Sequence, residues 1–201
     1  MSLAIALLTV SDRRSADPSA DDPSGDALRA RLERDGHQLV ERLCVPDDRY
    51  AIRAVLSRWI ATPVVQVVIS CGGTGLTGRD GSPEAVAPLL DKTIEGFGEL
   101  FRLLSYETIG TSTLQSRCLA GVANGTVIFV LPGSLDAVST AWDRLISAQL
   151  NPATRPCNLV QLLPRLREDP RTPAWSPPPG PLTGIAMAAD TVTDTDTSGT
   201  P

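Results

Sequence analysis

The amino-acid sequence predicts an α/β domain built on a mostly parallel sheet. Three observations carry that expectation: short, almost continuously apolar runs, amphipathic helical segments between them, and turn-forming residues where one gives way to the other. A strand covered on both faces is apolar along its whole length, and strand–helix alternation joins parallel neighbours by right-handed crossovers.

The elements follow in order. Leu3–Val10 is the first apolar run. It has the length of a secretion-signal core but lacks basic residues before it and a small-residue cleavage site after it, so it reads as a buried strand. In Ser24–Gly36, Ser24 is the expected N-cap, Leu28 and Leu32 share a face and Gly36 stops the helix. His37–Val45 reads as the second strand. Asp47 or Asp48 caps the next helix, whose Ile52, Val55, Leu56, Trp59 and Ile60 form a full amphipathic stripe. Val64–Ser70 is a β-branched third strand. A helix is expected to begin at Pro83-Glu84, and Phe97–Tyr106 reads as another. Thr126–Leu131 is a further buried strand, and Leu135–Leu150 a long helix. Beyond Pro164 the composition turns to Pro, Thr, Asp and Gly, so residues 1–164 are expected to form the domain and 165–201 a disordered tail.

Composition narrows the function. The chain has 201 residues, 42% of them hydrophobic, enough for one core. A formal charge of −5 argues against nucleic-acid binding, which needs a basic face. No apolar run approaches the roughly 18–20 residues that span a bilayer, so a cytoplasmic protein with no membrane partner is expected. Cys44, Cys71, Cys118 and Cys157 lack paired spacing and are expected to be reduced. One histidine, His37, at a helix end, leaves little for a metal site or a catalytic triad and reads as a bystander.

In parallel sheets ligands bind at the carboxyl ends of strands. Four loops there draw attention: Ser11-Asp12 with Asp22–Gly25, Pro46-Asp47-Asp48, Cys71–Asp80, and Pro132-Gly133-Ser134. Gly72, Gly73, Gly75 and Gly78 free the backbone to approach a phosphate, and Thr74 adds a hydroxyl. The bland alternative is a flexible turn. No Gly-Lys-Ser/Thr follows, so the loop is not a P-loop. Gly73–Gly78 spells G-x-G-x-x-G, which raises a nicotinamide-enzyme alternative, yet Arg79–Pro83 prolongs the loop where that fingerprint opens a helix. Asp47 and Asp80 beside a phosphate cradle are what a magnesium–nucleotide complex requires, because Mg²⁺ takes oxygen ligands and bridges phosphates. For Asp47 a helix cap explains the residue equally well. Arg79 and Arg117 are candidate cationic contacts, with a solvated surface role the competing reading for each.

Ser70-Cys71-Gly72-Gly73-Thr74-Gly75 followed by Asp80 resembles the hallmark of the molybdenum cofactor biosynthesis proteins MoaB and MogA. Thr9–Arg14, Asp22–Gly25, Arg49–Arg53, Gly96–Glu99, Ile109–Thr113, Ser116-Arg117 and Thr154–Asn158 resemble MoaB segments in the same order. One departure stands at Pro132-Gly133-Ser134, where the family's turn carries a further proline. The resemblance implies a three-layer sandwich with a central mostly parallel sheet, a trimeric or hexameric homo-oligomer, and traffic with other cofactor-biosynthesis proteins. It implies molybdopterin as substrate, with AMP transferred to its terminal phosphate from Mg-ATP and pyrophosphate released. Asp47 and Asp80 would be the catalytic, Mg²⁺-holding carboxylates. Ser11, Asp12, Gly72, Gly73, Thr74, Gly75, Ser112, Ser116, Arg117, Pro132, Gly133 and Ser134 would bind substrate. A non-catalytic molybdopterin carrier is the alternative from another class.

Overall fold

A computed structural model describes residues 1–17 and 19–166. The strand β1 (Ala4–Val10) leads through the short helix α1 (Asp12–Ala16) into α2 (Pro23–Arg34) and β2 (Gln38–Val45). Next come α3 (Arg49–Ala61), β3 (Val67–Cys71) and α4 (Ser82–Val86). After these come β4 (Lys92–Thr93), α5 (Glu95–Ile109), a 3-10 segment at Gly110–Gln115, β5 (Leu119–Ala123) and β6 (Thr126–Leu131). The described residues end with α6 (Leu135–Ala141), a π-helical turn at Trp142–Ile146, α7 (Ser147–Gln149), α8 (Leu159–Leu162) and a 3-10 turn at Leu163–Arg165. The tail expected from residue 165 lies, from residue 167 on, outside the described residues.

The strands form one sheet in the order β2-β1-β3-β6-β5-β4. The first four are mutually parallel, with Leu7 opposite both Arg42 and Ile69, and Ile69 opposite Phe129. β5 runs antiparallel to β6, and β4 antiparallel to β5. Alternate side chains feed two cores. Ile5, Leu7, Val67, Ile69, Val127 and Phe129 face α2, α5 and the helix from Leu135 onward, where Leu28, Leu32, Phe101 and Trp142 are buried. Ala6, Leu8, Val10, Val68, Ile128 and Val130 face α3 and α4, where Ile52, Leu56 and Trp59 are buried. Helices on both faces make the expected three layers, and the double coverage explains why the central strands read as unbroken apolar runs.

Two expectations need correction. Ser24 is not the cap of α2. Asp22 is, its carboxylate accepting from Gly25 N at 3.1 Å, and Pro23 takes the first helical position, where its missing N–H costs nothing. The sequence reading also passed over β4 and β5. Gly36 does end α2: at φ +81° it lets Gly36 N and His37 N bond back to Glu33 and Leu32, at 3.1 and 2.9 Å. His37 then accepts from Leu3 N through Nδ1 (3.4 Å) and meets the Trp142 ring edge-on. Among the described residues no helix is long and apolar enough to cross a membrane, and all four cysteines are free thiols.

Candidate functional site

The chain leaves β1 for β2 on one side and returns to β3 on the other, so the connections after β1 and β3 diverge. α2 packs on one face and α3 on the other. Such a strand-order reversal, at the carboxyl ends of the strands, is the usual place for a ligand in an open parallel sheet.

The loop after β3 lies at that end of the sheet, between β1 and β6. Gly72 and Gly73 have φ of +105° and +64°, a region that side chains with a Cβ rarely enter. A Cβ on Gly72 would collide with the Val10 carbonyl, and one on Gly73 would stand 2.5 Å from the Asp47 carboxylate. The loop is pinned below by Gly72 N donating to Leu131 O (3.0 Å), and beside by Ser82, whose hydroxyl donates to Gly72 O (2.8 Å) and whose N–H donates to Gly73 O (2.9 Å). The Pro132-Gly133-Ser134 turn closes against it: a Cβ on Gly133 would lie 3.1 Å from Gly72 Cα, and Ser24 Oγ donates to Gly133 O at 2.8 Å. Ser134 caps α6.

The structure separates the two readings of Asp47. Asp48 caps α3, accepting from Tyr50 N at 2.9 Å and Ala51 N at 2.8 Å. Asp47 is thereby left facing the glycine loop, where Oδ1 accepts from Gly81 N at 3.1 Å. Partial burial pushes its proton affinity up, with the Asp80 and Asp12 carboxylates adding to the effect and the Gly81 bond opposing it. Asp80 is held below the ordinary carboxylate range, chiefly by the Thr77 hydroxyl (2.5 Å), with Thr77 N (2.9 Å) and Gly75 N contributing against a small burial penalty. Asp12 is also held low, first by Arg79, which binds both its oxygens at 2.7 and 2.8 Å. Asp12 Oδ1 accepts from Asp47 N as well, at 3.0 Å. Asp12, Asp47 and Asp80 therefore draw the loops after β1, β2 and β3 into one acidic rim.

Ser11 caps α1, with Oγ accepting from Arg14 N at 3.4 Å, and Thr74 is buried. Arg117 reaches from the start of β5 to the glycine loop, with Nε 2.9 Å from Gly75 O and 3.2 Å from Thr74 O. Ser116 precedes it in the chain. Ser112 lies exposed on the 3-10 segment, and no hydrogen bond among the described residues ties it to the loop. Sequence reasoning missed Ser82, Thr77 and Glu84. The dipeptide Ser82-Pro83 at a helix start was the one local sign of the first; the other two have partners visible only in the folded chain. Among the described residues no group of three acidic, histidine or cysteine side chains forms a ready metal cage. Asp47 and Asp80 carry carboxylate oxygens, the kind of atom a hard cation such as Mg²⁺ takes as ligand.

Comparison with known proteins gives this geometry a context. A family described as "Probable molybdopterin binding domain" matches residues 6–152. The chain is 56% identical over 154 residues to molybdenum cofactor biosynthesis protein B of Escherichia coli K12, covering 77% of this chain and 89% of that protein. It belongs to the MoaB/MogA family. A crystal structure of a molybdenum cofactor biosynthesis protein B superposes with TM-score 0.73 at 36% identity, over 83% of this chain and 96% of that one. The tungsten cofactor synthesizing protein MoaB of Pyrococcus furiosus gives 0.70 at 33% identity, over 83% and 98%. Membership in the MoaB/MogA family sets the chain among proteins of molybdenum cofactor biosynthesis, with the six-stranded, mostly parallel sheet of its structural neighbours.

Proposed function

We propose that this protein binds molybdopterin and transfers AMP to its terminal phosphate from Mg-ATP. The observation that carries the proposal is the pair Asp47 and Asp80, set on separate loops around positive-φ glycines where the ends of β1, β2, β3 and β6 converge. A terminal phosphate oxygen of molybdopterin attacks the α-phosphorus of ATP, a new P–O bond forms, the α–β bridging bond breaks, and pyrophosphate leaves with the electron pair. The attacking phosphate is already an anion, so no strong general base is required, in keeping with a rim that has carboxylates and no histidine. Positioning and charge neutralisation carry the reaction. Bound Mg²⁺ would neutralise the triphosphate between Asp47 and Asp80. The backbone of Gly72–Gly75 would cradle phosphate, with Asp12, Thr74, Ser116 and the Pro132-Gly133-Ser134 turn bounding the pocket.

The proposal includes a homo-oligomer working in the cytoplasm. α5 turns Phe97, Phe101 and Ser105 inward and leaves Leu100, Leu103, Tyr106 and Ile109 more than half exposed on its other side, joined by Leu114 just beyond. A contiguous apolar face of that kind is a usual mark of subunit contact.

The test is incubation of the purified protein with molybdopterin, Mg²⁺ and ATP. Pyrophosphate and an adenylylated pterin, formed together and only with all three present, support the reaction. Tight pterin binding without AMP transfer would replace it with a carrier role.

A further inference from the structure

We propose that Arg117 is a positioning residue that sets both functional aspartates through the peptide groups of the glycine loop, and that it does not contact the substrate phosphates; the inference rests on the reading of Asp47 and Asp80 given above.

Arginine offers five N–H donors in a rigid fork. Here Nε donates to Thr74 O and Gly75 O, Nη2 donates to Gly75 O and, at 3.3 Å, to Asp80 O, and Nη1 pairs with the Glu84 carboxylate. Every nitrogen is engaged by the loop or by the first turn of α4. Approach to a phosphate would strip Thr74 O, Gly75 O and Asp80 O of the bonds that Arg117 gives them.

What lies on the far side of those carbonyls gives the contact its purpose. In a trans peptide the C=O and the following N–H point in opposite directions in one plane. Holding Thr74 O turns the Gly75 N–H away from Arg117, in a stretch of loop that lies so close to the Asp80 carboxylate that a Cβ on Gly75 would stand 2.6 Å from Oδ2. Holding Asp80 O likewise turns away the Gly81 N–H, which donates to Asp47 Oδ1 at 3.1 Å. One side chain thus fixes, from behind, two peptide groups of the loop: Gly81, whose N–H holds Asp47, and Gly75, against which the Asp80 carboxylate lies. Glu84 orients the fork, and α4 is in turn fastened to α3 by Arg53, which donates to Glu84 O (2.8 Å) and Ala85 O (3.1 Å). The lever therefore rests on the core and leaves the substrate side of the loop free.

Lysine at this position keeps the charge but offers a single nitrogen, which cannot span three carbonyls and a carboxylate. In Arg117→Lys, amide exchange at Gly75 and Gly81 is expected to accelerate at least tenfold while the β3 amides keep their protection. AMP transfer should lose at least tenfold in kcat with KM for molybdopterin changed less than threefold. In the wild type, the Arg117 Nε–H signal should exchange slowly and hold its position when Mg-pyrophosphate is added. Unchanged exchange at Gly75 and Gly81 in the variant would overturn the proposal, as would an Nε–H signal that moves to that of a phosphate-bound guanidinium. If Arg117→Lys fails to fold, the wild-type Nε–H measurement decides by itself. The exchange readouts need no turnover, so absence of AMP transfer in the wild type would sink the functional reading and leave this inference to stand or fall by its own signals.

Discussion

Asp35 and Asp47 sit at opposite ends of the same sheet and show two uses of one side chain. At the amino end, where α2 hands over to β2, Asp35 gathers donors from three sides: Arg34 Nε at 2.8 Å, Trp142 Nε1 at 2.8 Å and Ser147 Oγ at 2.7 Å. Burial opposes ionisation there, but these bonds outweigh it and hold the carboxyl down at about 2. At the carboxyl end Asp47 has one backbone donor and two carboxylates for company, and its proton affinity is raised. A charge whose partners are all supplied by the fold is structural. A charge left short of partners and facing like charges costs stability, and such a cost is what a functional carboxylate is expected to carry.

The largest effect that would break this contrast lies in the loops. Asp47→Asn should lower AMP transfer by roughly a hundredfold to a thousandfold, the scale on which loss of a preorganised charge is felt. Its thermal stability at pH 7 should equal or exceed the wild type, because a carboxylate destabilised by burial and like charge has been removed. A variant that unfolds would place Asp47 among the structural carboxylates. Gly72→Ala sets a Cβ against the Val10 carbonyl at φ +105°, and denaturant titration should show a loss of at least about 2 kcal/mol.

Asp35→Ala should behave as the reverse of Asp47→Asn. It leaves the fully buried Trp142 indole N–H and the Ser147 hydroxyl without their acceptor, costing about 1–3 kcal/mol, and should leave transfer per folded molecule unchanged. The smallest effect is on pH. The folded-state value for Asp35 lies below the ordinary 3.8, so its stabilisation is complete above that value and is lost as pH falls towards 2. His37 is also lowered, first by burial, so the folded state resists its protonation and stability declines as pH drops below about 6.5. Removing His37 should flatten that upper step, and removing Asp35 the acid step, in melting curves taken across pH.

Much of this architecture was legible because it is local. β1, β3 and β6 are covered on both faces and so announce themselves as apolar runs, and the Ile52–Trp59 stripe follows from helical spacing. β5 was harder. Leu119–Ala123 is short and built of small residues, and β4 is two exposed residues with no pattern of their own. Its one signal was Asn124-Gly125, both at positive φ, the turn that joins β5 to β6 as a hairpin. In the site, the glycine loop and Asp80 could be read from spacing, whereas Asp47 could not be told from a cap until Asp48 was seen to take that role. The Arg79–Asp12 pair and the grip of Arg117 on the loop join residues 67 and 42 positions apart, and sequence proximity carries no trace of them. Ser24 was misassigned because Asp22 and Ser24 are both good caps, and Pro23 between them settles the helix start on Asp22.

The most direct test of the account is pyrophosphate release by the wild type and by Asp80→Ala, each shown to be folded by circular dichroism and to bind molybdopterin. The account predicts release by the wild type only when molybdopterin and Mg-ATP are both present, and none above background from the variant. Equal release from the two proteins would contradict it, as would a wild type that binds molybdopterin and releases no pyrophosphate.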